Sequence, residues 1–331
     1  MHRFRRPAAS WLAIAVALGT MTYAQTADAR RITAATTLSS KDVSTRALEH
    51  WAGLLKERTD GGLTMNVIPG GTLGGDREHL QQLSSGEIDI NLSSPVALQH
   101  VAPQYQCLEA EYVYEDEDHG FRVWQGDVGR EVSQRIREQY GIEIVGIGRR
   151  GARHLTANRP VNAPADLKGL KMRVTNNLRA AVFGAYGALP APLPLSELYG
   201  GLRQRVFDAQ ENPLATIYAN RFHEVQSHIV LTGHVWTYNI VLAGSRFLES
   251  LNAEERKAFD ETLAQTITWL NDEATREDER IRSEIEKAGG VTFIEPDRAA
   301  FRAAARPVLA KYAEENCRPG LLADVDKAAA R

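Results

Sequence analysis

An α/β protein of two lobes is predicted by three features of the chain. Strand and helix patterns alternate between Arg31 and Leu92. The length of 331 residues favours roughly two domains over one. One helical pattern, Asn252 to Ala288, is long enough to reach across both.

Taken in order, Met1 to Arg6 carries Arg3, Arg5 and Arg6, Pro7 to Met21 is uncharged and largely apolar, and Ala27-Asp28-Ala29 is a small-x-small cleavage pattern. Residues 1–29 are therefore predicted to be a signal peptide, cleaved near Ala29. The apolar stretch is shorter than the roughly 20 residues a membrane-spanning helix needs. Arg5-Arg6 hints at a twin-arginine route, but the following Pro-Ala-Ala-Ser lacks a strongly hydrophobic start, so ordinary secretion is expected.

Arg31 to Ala35 reads as a strand, and Val43, Ala47, Leu48, Trp51, Leu54 and Leu55 recur at helical spacing until Asp60-Gly61-Gly62 breaks the pattern. Leu63 to Ile68, Asp76 to Leu83 and Ile88 to Leu92 continue as strand, helix and strand. This βαβαβ order implies a largely parallel sheet with ligands at the carboxyl ends of its strands, where Ser93, Ser94 and the loop after Ala35 would lie. The acidic run Glu109 to Asp118 does not match a calcium loop and is expected to be a solvated turn leading into the Phe121, Val123, Trp124 helix. A second group of strands begins at Ile142. Gly146-Ile147-Gly148-Arg149-Arg150-Gly151 satisfies GxGxxG, yet no helix opens at its third glycine, so a dinucleotide site is rejected. In the long C-terminal pattern, Phe259, Leu263, Ile267, Leu270, Ala274, Ile281 and Ile285 fall at turns of three or four; one helix, or two broken near Asn271, satisfies it.

The chain is 43% hydrophobic and 24% charged with a net charge of -3, and its basic residues do not cluster, which excludes a nucleic-acid footprint. Its two cysteines, Cys107 and Cys317, leave one disulfide and two thiols equally open. No Cys or His pair has metal-ligand spacing backed by a second pair. Neither GxSxG nor HExxH occurs, so an enzyme is not expected, and no cofactor or metal is called for.

Arg173, on the strand Leu170 to Val174, can offer a carboxylate two parallel hydrogen bonds. Arg153, after the strand Ile142 to Ile147, and Asn212, in the turn after a strand ending at Asp208, can fill remaining lone pairs. Each is weak alone: a strand arginine more often pairs with a neighbouring carboxylate, and an Asn before Pro often serves its own turn.

Together with Thr72 to Arg77 and Leu83 to Asp89, Gly151-Ala152-Arg153 with Asn158-Arg159-Pro160, Asp166 to Val174, Pro192 to Tyr199, Asp208 to Pro213 and Phe222 to His234, these residues make the chain resemble the DctP-type periplasmic solute-binding proteins of TRAP (tripartite ATP-independent periplasmic) transporters. The resemblance implies a two-lobed periplasmic-binding-protein (Venus-flytrap) fold with hinge strands, closing on an organic acid. It implies Arg173 as the main carboxylate clamp with Arg153 and Asn212 as helpers. By position, Thr37, Asp76 and Ser94 would meet the far end of the ligand, and Trp236 and Asn239 would lie near the crossover. Trp236 would either stack on a sugar face or pack into the hinge. Residues 30–150 plus 238–278 are expected to form lobe I, and 151–237 plus 279–331 lobe II. Ala209 departs from the family's Asp-Gly-Gln-Glu-Asn-Pro, Cys107 to Tyr114 replaces its leucine-proline-phenylalanine hinge run, and Leu195 and Ser94 stand where sialic-acid binders carry phenylalanine and glutamate. A sugar acid, uronate or aldonate, is the expected ligand; a C4-dicarboxylate or other small acid is the alternative. The expected protein is a periplasmic monomer delivering ligand to TRAP membrane permease subunits, with a ligand-sensing module as a further reading.

Overall fold

The computed structural model describes His2 and residues 29–329; the predicted leader otherwise falls outside the described residues. The first apolar alternations fold as parallel strands Arg30–Ala35 (β1), Leu63–Ile68 (β2) and Ile90–Ser93 (β3), in the order β2-β1-β3. Helix Val43–Arg58 starts at Asp42, whose carboxylate accepts from the Ser44 backbone N–H, and it buries Leu48, Trp51 and Leu55 against the sheet side.

Two long strands carry the chain across the molecule. Ile142–Ala157 (β4) does not stop at Ile147: its 16 residues run through Arg149, Arg150 and Arg153 with register shifts that absorb the glycines. Lys171–Val174 (β5), Leu189–Pro192 (β6) and Ala209–Pro213 (β7) form a second parallel group, β7-β5-β6. His228–Gly244 (β8), 17 residues long, is antiparallel to both β3 and β4, and Thr292–Ile294 (β9) pairs with its start. The sheet order β2-β1-β3-β8-β4-β7-β5-β6 thus sets two parallel halves on either side of an antiparallel pair. Two spanning strands carry the sheet from one half to the other, the architecture of a hinge.

One unbroken helix, Ala253–Ala288, resolves the choice left open at Asn271. Asn252 caps it reciprocally with Glu255, and Gly289, at φ 72°, ends it. Its first part packs Phe259 and Leu263 with Trp51 and Leu55; its later part packs Leu270, Ile281 and Ile285 with Leu198, Leu214 and Phe222. The helix therefore spans both halves. The glycines of the GxGxxG run explain themselves here: a Cβ on Gly148 would sit 3.0 Å from the Leu270 side chain, so the run gives the helix close access to β4. Asn271 completes the seam, its side-chain oxygen accepting from the Arg149 backbone N–H at 2.7 Å.

The acidic run corrects its prediction as a solvated turn. Glu115, Asp116 and Asp118 are exposed, but Glu109 and Glu111 are buried beside Arg179. Burial is tolerated because the arginine supplies the compensating charge, a pairing no local pattern reveals.

Cys107 and Cys317 form a disulfide, with Cα atoms 6.2 Å apart, pinning the C-terminal end of helix Arg298–Asn316 to the Pro103–Glu109 turn. A separation of 210 residues gives the cross-link a large loop to close in the unfolded chain. Reduction is expected to cost about 2 to 4 kcal/mol of stability. Denaturant melts with and without reductant measure it, and coincident midpoints would refute it.

Candidate functional site

The carboxyl ends of β1 and β3 from one half, and of β5 and β7 from the other, open on one cavity of about 480 Å³. Thr37, Asp76, Ser94, Arg153, Arg173 and Asn212 line it together. Trp236 and Asn239 lie outside its lining. Trp236, opposite Ala152 on β8, packs against the main core, which is the hinge-packing alternative for it. Asn239 is buried, donating to the Arg149 carbonyl at 2.7 Å and accepting from Arg150 Nη1 at 3.0 Å. Asn212 lies within β7 rather than in a turn, because Ala209–Pro213 pairs antiparallel with β4, placing Asn212 opposite His154.

Four arginines line this cavity; Arg77 is exposed on one wall, and the partners of the other three, Arg150, Arg153 and Arg173, assign them different tasks. Arg150 is saturated at its ends: Nη1 donates to Ser44 Oγ at 2.6 Å and Asn239 Oδ1, and Nη2 to Thr216 Oγ1 at 2.8 Å and Asp42 Oδ2 at 3.4 Å. Arg153 is half-committed. Its Nε and Nη2 donate to the Glu211 carboxylate, and Nη2 also reaches Asn212 Oδ1 at 3.2 Å. Arg173 is free. Its Nε donates to the Leu193 carbonyl at 2.8 Å, and its buried Nη1 has no hydrogen-bond partner among the described residues. A guanidinium 4% exposed with no carboxylate beside it bears a full desolvation cost. That cost lowers Arg173 to about 10, with Glu211 opposing and Arg153 and Arg179 adding to the effect, so it stays charged at neutral pH.

Behind the cavity lies a layer of buried charge. Glu211 accepts from Arg153 and from His234 Nε2 at 3.2 Å, and Arg179 Nε lies 3.6 Å from it. Burial alone would raise the Glu211 carboxyl; Arg153 and Arg179 overcome it and hold the group well below the usual range. Arg179 reaches onward to Glu109 and Glu111 at 3.3 and 3.4 Å, tying helix Asn177–Ala185 to the start of the acidic run. Arg153 and Asn212 are thus aimed by a scaffold that is already electrically matched, whereas Arg173 Nη1 keeps an unused donor.

The opposite wall offers mostly oxygens. Gly74 holds φ 113° and a Cβ there would come 2.7 Å from the Glu78 side chain, so glycine is required to start helix Asp76–Ser85. That start places Asp76 Oδ1 3.0 Å from Ser93 Oγ and 3.5 Å from Thr37 Oγ1. Gln99, His100 and Arg77 complete this side. Burial and the neighbouring Arg77 lower His100, leaving it neutral at pH 7.

Glu211, Arg179, His234 and Arg150 were not identified as site residues from the sequence. Arg149-Arg150 inside a glycine-rich run was the one available signal, since a strand there must bury one of two adjacent arginines.

A model of the DctP family, described as bacterial extracellular solute-binding protein, family 7, matches residues 34–316. The solute-binding protein RD1_1052 of Roseobacter denitrificans is 35% identical over 271 residues, 80% of this chain and 81% of that one. The 2,3-diketo-L-gulonate-binding periplasmic protein YiaO of Escherichia coli is 30% identical over 265 residues, 80% of each chain. Among solved structures, the TRAP periplasmic solute-binding protein RD1_1052 with bound L-galactonate superposes with a TM-score of 0.83 at 29% identity, covering 90% of this chain and 98% of that one. A Shewanella oneidensis counterpart with bound succinate gives a TM-score of 0.84 at 27% identity, covering 91% and 99%.

Proposed function

The chain belongs to the DctP family of bacterial extracellular solute-binding proteins, and from that premise we propose that it captures a sugar acid in the periplasm and delivers it to TRAP membrane permease subunits. The buried Arg173 guanidinium in the cavity, whose Nη1 has no partner among the described residues, carries this reading. A ligand carboxylate seated on Arg173, assisted by Arg153 and Asn212, restores the hydrogen bonds and charge match that burial removed. A ligand without a carboxylate leaves that cost in place, so acids are selected. The protein acts as a monomer and does no chemistry on its ligand; export relies on the predicted leader. The expected lobe limits, 30–150 plus 238–278 and 151–237 plus 279–331, put the two groups of parallel strands in different lobes.

Thr37, Asp76, Ser93 and Ser94 present hydroxyl and carboxylate oxygens suited to the hydroxyls of an aldonate or uronate. The relatives that bind 2,3-diketo-L-gulonate and L-galactonate support the same class. A C4-dicarboxylate draws support from the exposed Arg77 on this wall and from the succinate-bound neighbour. Asp76 would repel a second carboxylate there and His100 is neutral, which favours the sugar acid. A thermal-shift screen of residues 30–331 against aldonates, uronates, dicarboxylates, keto acids and amino acids tests the choice, after unfolding and refolding to strip prebound ligand. Ligand at about 1,000 times its dissociation constant adds about 4 kcal/mol of stability. A response confined to sugar acids is expected; one confined to dicarboxylates would replace it, and none among acids would overturn the carboxylate clamp.

A further inference from the structure

The saturated arginine of the cavity wall joins elements from both halves of the molecule. Asp42 and Ser44 open helix Val43–Arg58, which belongs to the β2-β1-β3 half. Thr216 lies on helix Leu214–Ala219, directly after β7 of the other half. Between them stands Arg150 on spanning strand β4, with Asn239 on spanning strand β8. Asp42 Oδ2 accepts from Thr216 Oγ1 at 3.1 Å and from Arg150 Nη2 at 3.4 Å, so one carboxylate oxygen binds the two halves and a hinge strand together. Asp42, Ser44, Thr216 and Asn239 are fully buried and Arg150 is 6% exposed.

We propose that this Asp42–Arg150–Thr216 bridge is the fixed pivot about which the two halves close over ligand, with Arg150 as a positioning residue that touches no ligand. The geometry points there for three reasons. Every terminal N–H of Arg150 is already used, so the group serves the fold rather than an incoming anion. The bridge connects helix Val43–Arg58 of the first half and helix Leu214–Ala219 of the second with the two strands that must bend, whereas the charge layer around Glu211 ties β7, β4, β8 and helix Asn177–Ala185 to Glu109 and Glu111 without a residue of β1, β2, β3 or helix Val43–Arg58. Apolar contacts reinforce the same point: Val43 and Ala47 of the first half share a core with Leu198, Leu214 and Ile217 of the second. A buried, charge-assisted junction holds its distances while the open cavity side swings, because breaking it would strand Asp42 and Arg150 away from water.

The inference is independent of ligand identity and is tested without ligand. Spin labels at Glu57→Cys and Arg203→Cys, on exposed sites of the two halves, report the separation of the halves by pulsed electron resonance. Thr216→Val removes the hydroxyl from the bridge at nearly constant volume, and Thr216→Ser retains it. Thr216→Val is expected to broaden the distance distribution and shift its mean, while Thr216→Ser keeps the parent distribution. Arg150→Met should broaden it further; should that variant fail to fold, the Thr216 pair decides alone. A merely structural role would lower the melting temperature of Thr216→Val and leave the distribution unchanged. Superimposable distributions for Thr216→Val and the parent would overturn the pivot.

Discussion

Arg173→Ala is expected to weaken capture of the acid by about 2 to 5 kcal/mol, roughly 30-fold to several thousandfold in dissociation constant. It should also leave the ligand-free protein as stable as the parent or more so. The two halves of this result follow from one fact. In the free protein Arg173 is buried, bonded through Nε to the Leu193 carbonyl, and without a partner at Nη1. Removing it relieves an unmet desolvation cost in the ligand-free state and deletes the charge match in the bound state. A residue that merely paired with a neighbour would do the opposite, since its loss would strand a carboxylate. Calorimetry of ligand binding, set beside denaturant melts of the free protein, separates the cases. Unchanged affinity, or a large loss of free-protein stability, would remove Arg173 from the role of clamp.

How much of this was legible depends on the range of the interaction. The opening βαβαβ segment is written in local period: alternating residues of β1 and β2 and the Val43, Ala47, Leu48, Trp51 stripe each state their own structure. The proposed clamp residues stand out through resemblance rather than periodicity, since Arg173 and Asn212 in isolation read as a surface pair and a turn. The Asn212 misreading shows why. Asn before Pro favours extended backbone, which suits a turn entry or a strand end equally, and only pairing with β4 decides between them. The alternation of β4 reads clearly only to Ile147, and the glycines that follow have distant reasons: Gly148 makes room for Leu270 and Gly151 for Asp278, on a helix more than a hundred residues away. The buried carboxylates of Glu109 and Glu111 were invisible for the same reason. Their solvent is Arg179, and long-range ion pairing leaves no trace in a window of neighbours.

That dependence on distant partners makes Glu211 the most consequential residue behind the cavity. Its carboxylate stands between Arg153 and Arg179, both buried, and it also accepts from His234. Glu211→Gln keeps shape but removes the charge, leaving two guanidinium groups facing each other across a neutral amide. Breaking a buried pair from one side costs about 3 to 5 kcal/mol, so the variant should unfold at markedly lower denaturant than the parent. Acid should act on the same layer in two stages. Burial pushes His234 down from its ordinary 6.5 to about 4 in the folded protein, outweighing the pull of Glu211 toward the charged form. A folded value below the unfolded one means the stability contributed by neutral His234 is present above about 6.5 and is lost as pH falls toward 4. Glu211, held well below its ordinary value, contributes above the unfolded carboxylate range near 4.3 and loses that contribution only as acid reaches its own lowered value. The parent should therefore lose its stability margin over His234→Gln between pH 6.5 and 4, and its margin over Glu211→Gln below that. His154, pushed down to about 3 by burial, and Glu109, raised to about 7 by burial, titrate in the same range, so each variant is compared with the parent pH by pH. Chemical denaturation across this range reads both, and Glu211→Gln matching the parent at pH 7 would show that the charge layer does not hold the site together.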